Sequence, residues 1–184
     1  NQKKQANATP EELAALTDKR MADLNVIFDK YPNTFFTAFK RAGQNPKVID
    51  YFNPDGTPNN SLKISMYRQR VWDNVDFNDE RLLRTPVIMH KLNNYIEKMT
   101  AQDADSLVNA TAFLVNKVLD KPEYFKLFTN NIALRYTPGE TTVMDAEKLF
   151  VFIAQNYFTK ERAFWTDSMN IYSIQQRASE MAAS

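Results

Sequence analysis

The stretch VMDAEKLFVFIAQNYF, residues 143–158, carries the apolar spacing of a helix buried in a protein core. Its apolar residues recur three and four positions apart, the interval that places side chains on one face of an α-helix. Those on the expected core face are Ala146, Leu149, Phe150, Ile153, Ala154 and Tyr157. Since Val151 and Phe152 add apolar surface on the opposite side, we expect this helix to be the most buried of the chain.

The same spacing recurs along the whole chain, usually behind a helix start signal. Thr9-Pro10 and Thr85-Pro86 each combine a hydroxyl that can cap a helix with a proline that suits its first turn. The expected helices begin near Thr9, Asn33, Leu62, Thr85, Asp103, Asp120, Val143 and Thr166, and Asn78 is expected to cap a further short turn. No stretch alternates apolar and polar residues as a half-buried strand does. The sequence therefore predicts an all-α protein, a single bundle of about eight helices.

Length and composition agree with one helical domain. The chain has 184 residues and only three glycines, far below the roughly 7% of an average protein. Residues 1–8 are polar and are expected to form a disordered tail, and residues 9–184 to form the domain. The longest irregular stretch is 43–61, where Pro54-Asp55-Gly56 predicts a tight turn.

Two further apolar stripes are expected to face the core. The first helix carries one at Leu13, Leu16, Leu24, Ile27, Phe28 and Tyr31. The third helix carries the other at Ile64, Tyr67, Val71 and Val75. Each stripe keeps to one face at helical spacing, and so each predicts a helix packed on its neighbours.

Charge and cysteine content exclude several classes of function. The net charge is +1 from 23 basic and 22 acidic residues, without a basic stripe, so we expect no nucleic acid partner. No apolar run approaches the roughly 18 residues that span a bilayer. Cysteine is absent, which excludes disulfides, thiolate metal sites and thiol redox chemistry within this segment.

A cluster of aromatic and charged residues marks the corner between two predicted helices, over residues 72–84. Its apolar members are Trp72, Val75, Phe77, Leu82 and Leu83, and its charged members are Asp73, Asp76, Asp79, Glu80, Arg81 and Arg84. Such a corner can bury aromatic area and hold a bidentate arginine–carboxylate pair. We interpret it as a packing joint, with a functional site as the alternative. With His90, the candidate residues are Trp72, Asp73, Asp76, Phe77, Asp79, Arg81, Arg84 and His90.

No catalytic, cofactor or metal site is predicted. His90 is the only histidine and falls off the apolar stripe of its helix, so a partly exposed or capping role is expected. A zinc site needs three or four ligands, and a serine triad needs a histidine beside its nucleophile. Paired carboxylates such as Asp103 and Asp105 stand where a helix begins, and there they can accept hydrogen bonds from its free N–H groups.

Several stretches resemble one known family. They are NTFFTAF (33–39), WDNVDFNDERLLRTPV (72–87), IMHKLNNYI (88–96), MDAEKLFVFIAQNYF (144–158) and FWTDS (164–168). Together they resemble the helical domain of unknown function that precedes the thioredoxin-like domain in thiol-disulfide interchange proteins of Gram-negative anaerobes. The resemblance implies a Cys-x-x-Cys module downstream, and an export signal or lipid-attachment cysteine upstream. It also implies a location in the periplasm or cell envelope.

Two hypotheses about function follow from the resemblance and the residues. In the first, the chain is a non-catalytic accessory domain of a cell-envelope thiol-disulfide oxidoreductase, which positions the thioredoxin-like module or recognises its partner. In the second, it is a stand-alone periplasmic module that binds a peptide or protein in an aromatic groove. An enzyme is the third and weakest hypothesis, because the sequence offers no reactive constellation.

Overall fold

The computed structural model describes residues 8–183, and it confirms an all-α fold. The predicted tail over residues 1–8 falls, apart from Ala8, outside the described residues. Within these residues eight α-helices follow one another: α1 (Pro10–Lys30), α2 (Phe35–Ala42), α3 (Asn60–Arg70), α4 (Pro86–Asn93), α5 (Ala104–Asn116), α6 (Pro122–Arg135), α7 (Ala146–Asn156) and α8 (Ser168–Ala183). A 3-10 helix (Glu80–Arg84) precedes α4, and a π-helical turn (Asn94–Lys98) directly follows α4. Within residues 8–183 the only β pairing is an isolated bridge between Phe52 and Pro58.

The strongest start signals act as predicted. The hydroxyl of Thr9 accepts a hydrogen bond from the Glu12 N–H at 3.2 Å, and the Glu12 carboxylate accepts one from the Thr9 N–H at 2.9 Å. This reciprocal pair satisfies two of the N–H groups that a helix leaves free at its beginning. The side chains of Thr85 and Asp103 cap α4 and α5 without a reciprocal partner, by accepting the N–H groups of Val87 and Ser106. Gly56 adopts a φ of 83° in the predicted tight turn.

Three other caps lie one residue away from the predicted ones. Thr34 rather than Asn33 caps α2, and Asp79 rather than Asn78 caps the 3-10 helix. Before α8, the Asp167 carboxylate rather than Thr166 accepts the Asn170 N–H. Each pair offers two neighbouring side chains that can cap, and the backbone conformation decides which one is used. Before α6 the cap position falls on Lys121, which makes no side-chain capping bond, and not on Asp120.

The core lies where α4, α5, α6 and α7 meet. Its fully buried large residues include Leu82, Ile88, Leu92, Ile96, Leu107, Leu114, Tyr124, Phe128, Ile132 and Tyr157. α5 contributes six buried residues and α7 four, so the expectation that α7 is the most buried helix is wrong. α5 takes this place because it packs between α6 and α7 and also contacts the π-helical turn.

Two predicted core stripes are only partly covered. α3 ends at Arg70, so Val71 and Val75 are buried beyond the helix, while Ile64 on the helix is 58% exposed. In α1 only Phe28 is buried, and Leu16 is 55% exposed. Helical spacing tells which residues share a face, but it does not tell whether another element covers that face.

No helix within residues 8–183 has both the length and the hydropathy needed to cross a lipid bilayer.

Candidate functional site

Trp72 forms the centre of the predicted corner. Its indole is 2% exposed and meets the rings of Phe77, Tyr95 and Phe128 at centroid distances of 6.1, 5.8 and 5.4 Å. Phe77 also packs edge-on against Tyr124 at 5.2 Å. Stacked, edge-to-face and tilted pairs of this kind add to the free energy gained by burial. The corner therefore fixes the segment after α3 onto α6 and the π-helical turn.

Asp79 and Arg81 form the bidentate pair that such a corner can hold. The guanidinium donates from Nε to Oδ1 at 2.8 Å and from Nη2 to Oδ2 at 2.6 Å. These hydrogen bonds hold the pKa of the Asp79 carboxyl below its ordinary value of 3.8. The same guanidinium lies 5.3 Å from the centre of the Phe35 ring, and the Tyr124 hydroxyl donates to the Asp79 carbonyl at 2.7 Å. One arginine thus ties α2 to the corner.

The other candidate residues do not join this group. Asp73, Asp76, Arg84 and His90 are exposed. The Asp76 carboxylate accepts hydrogen bonds from the backbone and side chain of Asn78, a local turn. In the part of the chain that the structure describes, no three His, Cys, Asp or Glu side chains stand close enough to hold a metal ion. The corner unites Trp72, Phe77, Asp79 and Arg81, and its role in function stays a prediction.

Lys91 is the feature that the sequence analysis missed. Its side chain is buried, and its ammonium donates to the carbonyl oxygens of Gln44 and Val71, both at 3.0 Å. Val71 directly follows α3, and Gln44 stands two residues beyond α2. The C-terminal end of a helix carries partial negative charge and unpaired carbonyls. The ammonium therefore joins the ends of α2 and α3 to α4.

The burial of Lys91 has an electrostatic cost. No carboxylate of the described residues pairs with it, and desolvation lowers the pKa of its ammonium to about 8 from an ordinary 10.5. Two of its three N–H donors are used by the two carbonyls. A signal for this burial was present in the sequence, because Lys91 stands three residues after Ile88 and four before Tyr95, on the apolar stripe of α4.

Two neighbouring cavities lie beside Lys91 and its hydrogen-bond partner Gln44. The smaller, of about 210 Å³, is called the Lys91 recess and is lined by Gly43, Asn45, Val71, Val87, His90, Lys91, Asn94 and Met99. The larger, of about 770 Å³, is called the α1–α2 groove and lies between these two helices and the segment after α2. The two cavities share Gly43, Asn45 and Val87 in their walls. The two cavities are therefore neighbours.

The α1–α2 groove has apolar walls and a basic rim. Met21 and Leu24 of α1 face Phe39 of α2 and Val87 of α4 across it. The charged residues of its lining are Asp18, Arg20, Lys40 and Lys47. Asp18 lies 3.7 Å from Lys47, whereas no carboxylate of the described residues pairs with the two other cations. An occupant with apolar and acidic groups would complement this lining.

Comparison with known proteins gives a family but no activity. The sequence model of the family described as Domain of unknown function (DUF5106) matches residues 59–182, about two thirds of the 184 residues. The match covers the corner and Lys91, and it leaves out α1 and α2. No curated protein and no solved structure matches the chain.

Proposed function

The chain belongs to the family Domain of unknown function (DUF5106), and we propose that it is a non-catalytic helical accessory domain of a cell-envelope thiol-disulfide oxidoreductase. The domain positions a thioredoxin-like redox module or recognises the partner of that module. It works in the periplasm or cell envelope, after export, either free or lipid-anchored. The domain acts through protein–protein contacts.

The observation that carries this proposal is the distribution of exposed apolar side chains. Among the described residues eighteen large apolar side chains are exposed, and ten of them lie in residues 8–58, ahead of the family-matched segment. These ten are Leu13, Leu16, Val26, Ile27, Tyr31, Phe35, Phe36, Val48, Ile49 and Phe52. Concentrated apolar exposure marks protein contact surfaces, whereas scattered single residues need no explanation. The N-terminal third is thus suited to a protein partner.

The thiol-disulfide context is proposed from a resemblance, because the segment 72–87 resembles the domain that precedes thioredoxin-like modules. The chain has no cysteine of its own. A domain without cysteine contributes to disulfide exchange only by placing another protein's thiols.

The reading frame of the gene tests the proposed thiol-disulfide context. We expect it to continue beyond Ser184 into a thioredoxin-like domain with a Cys-x-x-Cys motif. A stop codon shortly after Ser184, with no such motif in the frame, would contradict the accessory role.

The contact itself can be measured by cross-linking mass spectrometry on the full-length protein. We expect cross-links between α1 and the redox module or its partner, which the double variant Leu13→Asp/Leu16→Asp removes. Leu134→Asp on α6 is the matched control, since Leu134 is 75% exposed and lies outside the N-terminal third. Unchanged cross-links in the double variant would show that α1 does not make this contact.

A stand-alone binding module is the second candidate, and the α1–α2 groove favours it. A cavity of about 770 Å³ lies within the range of roughly 300–1,000 Å³ that is usual for binding pockets. In this case the isolated chain alone would retain a peptide or protein partner. If the partner is retained only when a redox module is covalently attached to the chain, the result supports the accessory role.

A further inference from the structure

We propose that the α1–α2 groove and the Lys91 recess bind an acidic amphipathic segment of a partner polypeptide. This inference rests on the proposed function, because it names the chemistry of the partner that the domain contacts. The segment lays apolar side chains against the groove walls and directs carboxylates to the basic rim.

The shape of the surface favours a polypeptide over a small molecule. α1 is 21 residues long, about 31 Å at 1.5 Å per residue, and forms one wall of the groove. Leu13 and Leu16, which are exposed by 41% and 55%, stand on α1 before the groove residues Met21 and Leu24. The apolar surface is therefore longer than the cavity, as a helical or extended segment requires.

The charges favour an acidic occupant. Arg20, Lys40 and Lys47 surround the groove, and Asp18 is the single carboxylate in its lining. The ammonium of Lys40 lies 5.8 and 5.9 Å from the ring centres of Phe36 and Phe39, so it is held over the apolar side of the groove. A positive rim over apolar walls attracts glutamate and aspartate, and repels a basic segment.

The Lys91 recess supplies a second, deeper contact. Its ammonium has one donor left after the bonds to Gln44 and Val71, and the recess also presents Asn45 and Asn94. His90 is the other titratable group of this lining. A carboxylate that enters here accepts a charge-assisted hydrogen bond away from bulk water, where such bonds are strongest.

The test uses two labelled helical peptides of about 18 residues, comparable with the length of α1. Both carry leucine on one face. One has glutamate on the other face, and the matched control peptide has lysine there. Fluorescence anisotropy with the 184-residue chain should show binding of the glutamate peptide that weakens with salt, and no binding of the lysine peptide.

Variants locate the contact. Arg20→Glu/Lys40→Glu should weaken binding of the glutamate peptide about tenfold or more, because two attractions become repulsions. Lys117→Glu/Lys160→Glu makes the same change of charge at exposed lysines outside the groove, and should bind like the unaltered chain. Circular dichroism checks that all variants are folded.

Three results would overturn the inference: no binding of the glutamate peptide, equal binding of both peptides, or equal affinity of the two charge-reversed variants. Displacement of the glutamate peptide by an equal charge of DNA would also overturn it, since the surface would then select only for negative charge. The accessory role survives these results if the α1 cross-links persist. Conversely, a reading frame without Cys-x-x-Cys removes the redox context and leaves the peptide result intact.

Discussion

The ammonium nitrogen of Lys91 lies 3.0 Å from the carbonyl oxygen of Val71, the residue that follows α3. A cation thus occupies the negative end of a helix inside the domain, where no carboxylate of the described residues balances it. The arrangement satisfies a carbonyl that the helix leaves free, and it costs the desolvation of an ammonium. The balance between these two effects depends on pH.

The stability of the folded chain should rise between pH 8 and pH 10. Below pH 8 Lys91 is charged in both states, and the folded state bears the whole desolvation cost. Its folded pKa is about 8 against 10.5 unfolded, so in this window the unfolded chain binds more protons, and stability increases with pH. The expected rise is about 2 kcal/mol, measured by urea unfolding at constant ionic strength.

The variant Lys91→Met isolates this contribution. It should lack the rise between pH 8 and pH 10, since methionine does not titrate. Above pH 10 the stability of both proteins should fall, because burial raises the pKa of tyrosines such as Tyr124 and, to about 12, that of Tyr157. A rise of the same size in the methionine variant would show that another group is responsible.

Asp79→Ala should destabilise the protein by about 1–2 kcal/mol, because the carboxylate caps the 3-10 helix as well as binding Arg81. Arg81→Ala should cost less, since the arginine side chain is 56% exposed and the cap remains. The lowered pKa of Asp79 gives stability that is present above about pH 4 and lost as the carboxylate protonates at lower pH. Chemical unfolding at pH 7 and pH 3 measures both effects, and equal losses for the two variants would contradict the capping role.

Ile153→Ala should destabilise the protein by about 2–5 kcal/mol, since Ile153 is 2% exposed in the core and its removal leaves a cavity. Phe150→Ala, on the same helix, should cost distinctly less. Phe150 is only half-buried and has the Arg177 guanidinium 5.0 Å from its ring centre. Thermal unfolding of both variants gives the order, and a larger loss for Phe150→Ala would show that α8 covers this ring more fully.

Truncation should separate α1 from the rest of the domain. A chain that lacks residues 1–30 should still unfold cooperatively. Its free energy of unfolding should be lower by about 1.5–3 kcal/mol, because the apolar surface covered by Phe28 becomes exposed to water. A chain that lacks residues 1–58 also loses α2, and with it the buried Ala42 and the Gln44 carbonyl that Lys91 binds. It should be less stable by at least a further 3 kcal/mol or so. Equal melting temperatures for the two truncated chains would show that the family-matched segment folds alone.

Helix existence was readable from the sequence because it depends on neighbours along the chain. The capping box of Thr9 and the starts at Thr85 and Asp103 need only a side chain and backbone groups two or three residues away. Burial was readable for α7, where Leu149 and Ile153 lie in the core. It was not readable for α1, whose stripe has the same spacing and is buried only at Phe28.

In the candidate site, too, contacts between neighbours in the chain were readable from the sequence, and contacts between distant residues were not. The pairing of Asp79 with Arg81 joins residues two positions apart, so local composition indicated it. The contacts of Lys91 join residues 20 and 47 positions apart, and the neighbouring α1–α2 groove has walls from α1, α2 and α4. No periodicity of a single helix contains that information.

By itself the sequence determined the helices, the approximate positions of their ends, and the residues that share each face, because backbone hydrogen bonding and capping are satisfied within a few residues. Only the tertiary structure decided which apolar faces are covered, which carbonyl groups Lys91 binds and where the α1–α2 groove opens. Those properties arise when helices distant in the chain compete for the same core, and the amount of surface buried depends on all of them together.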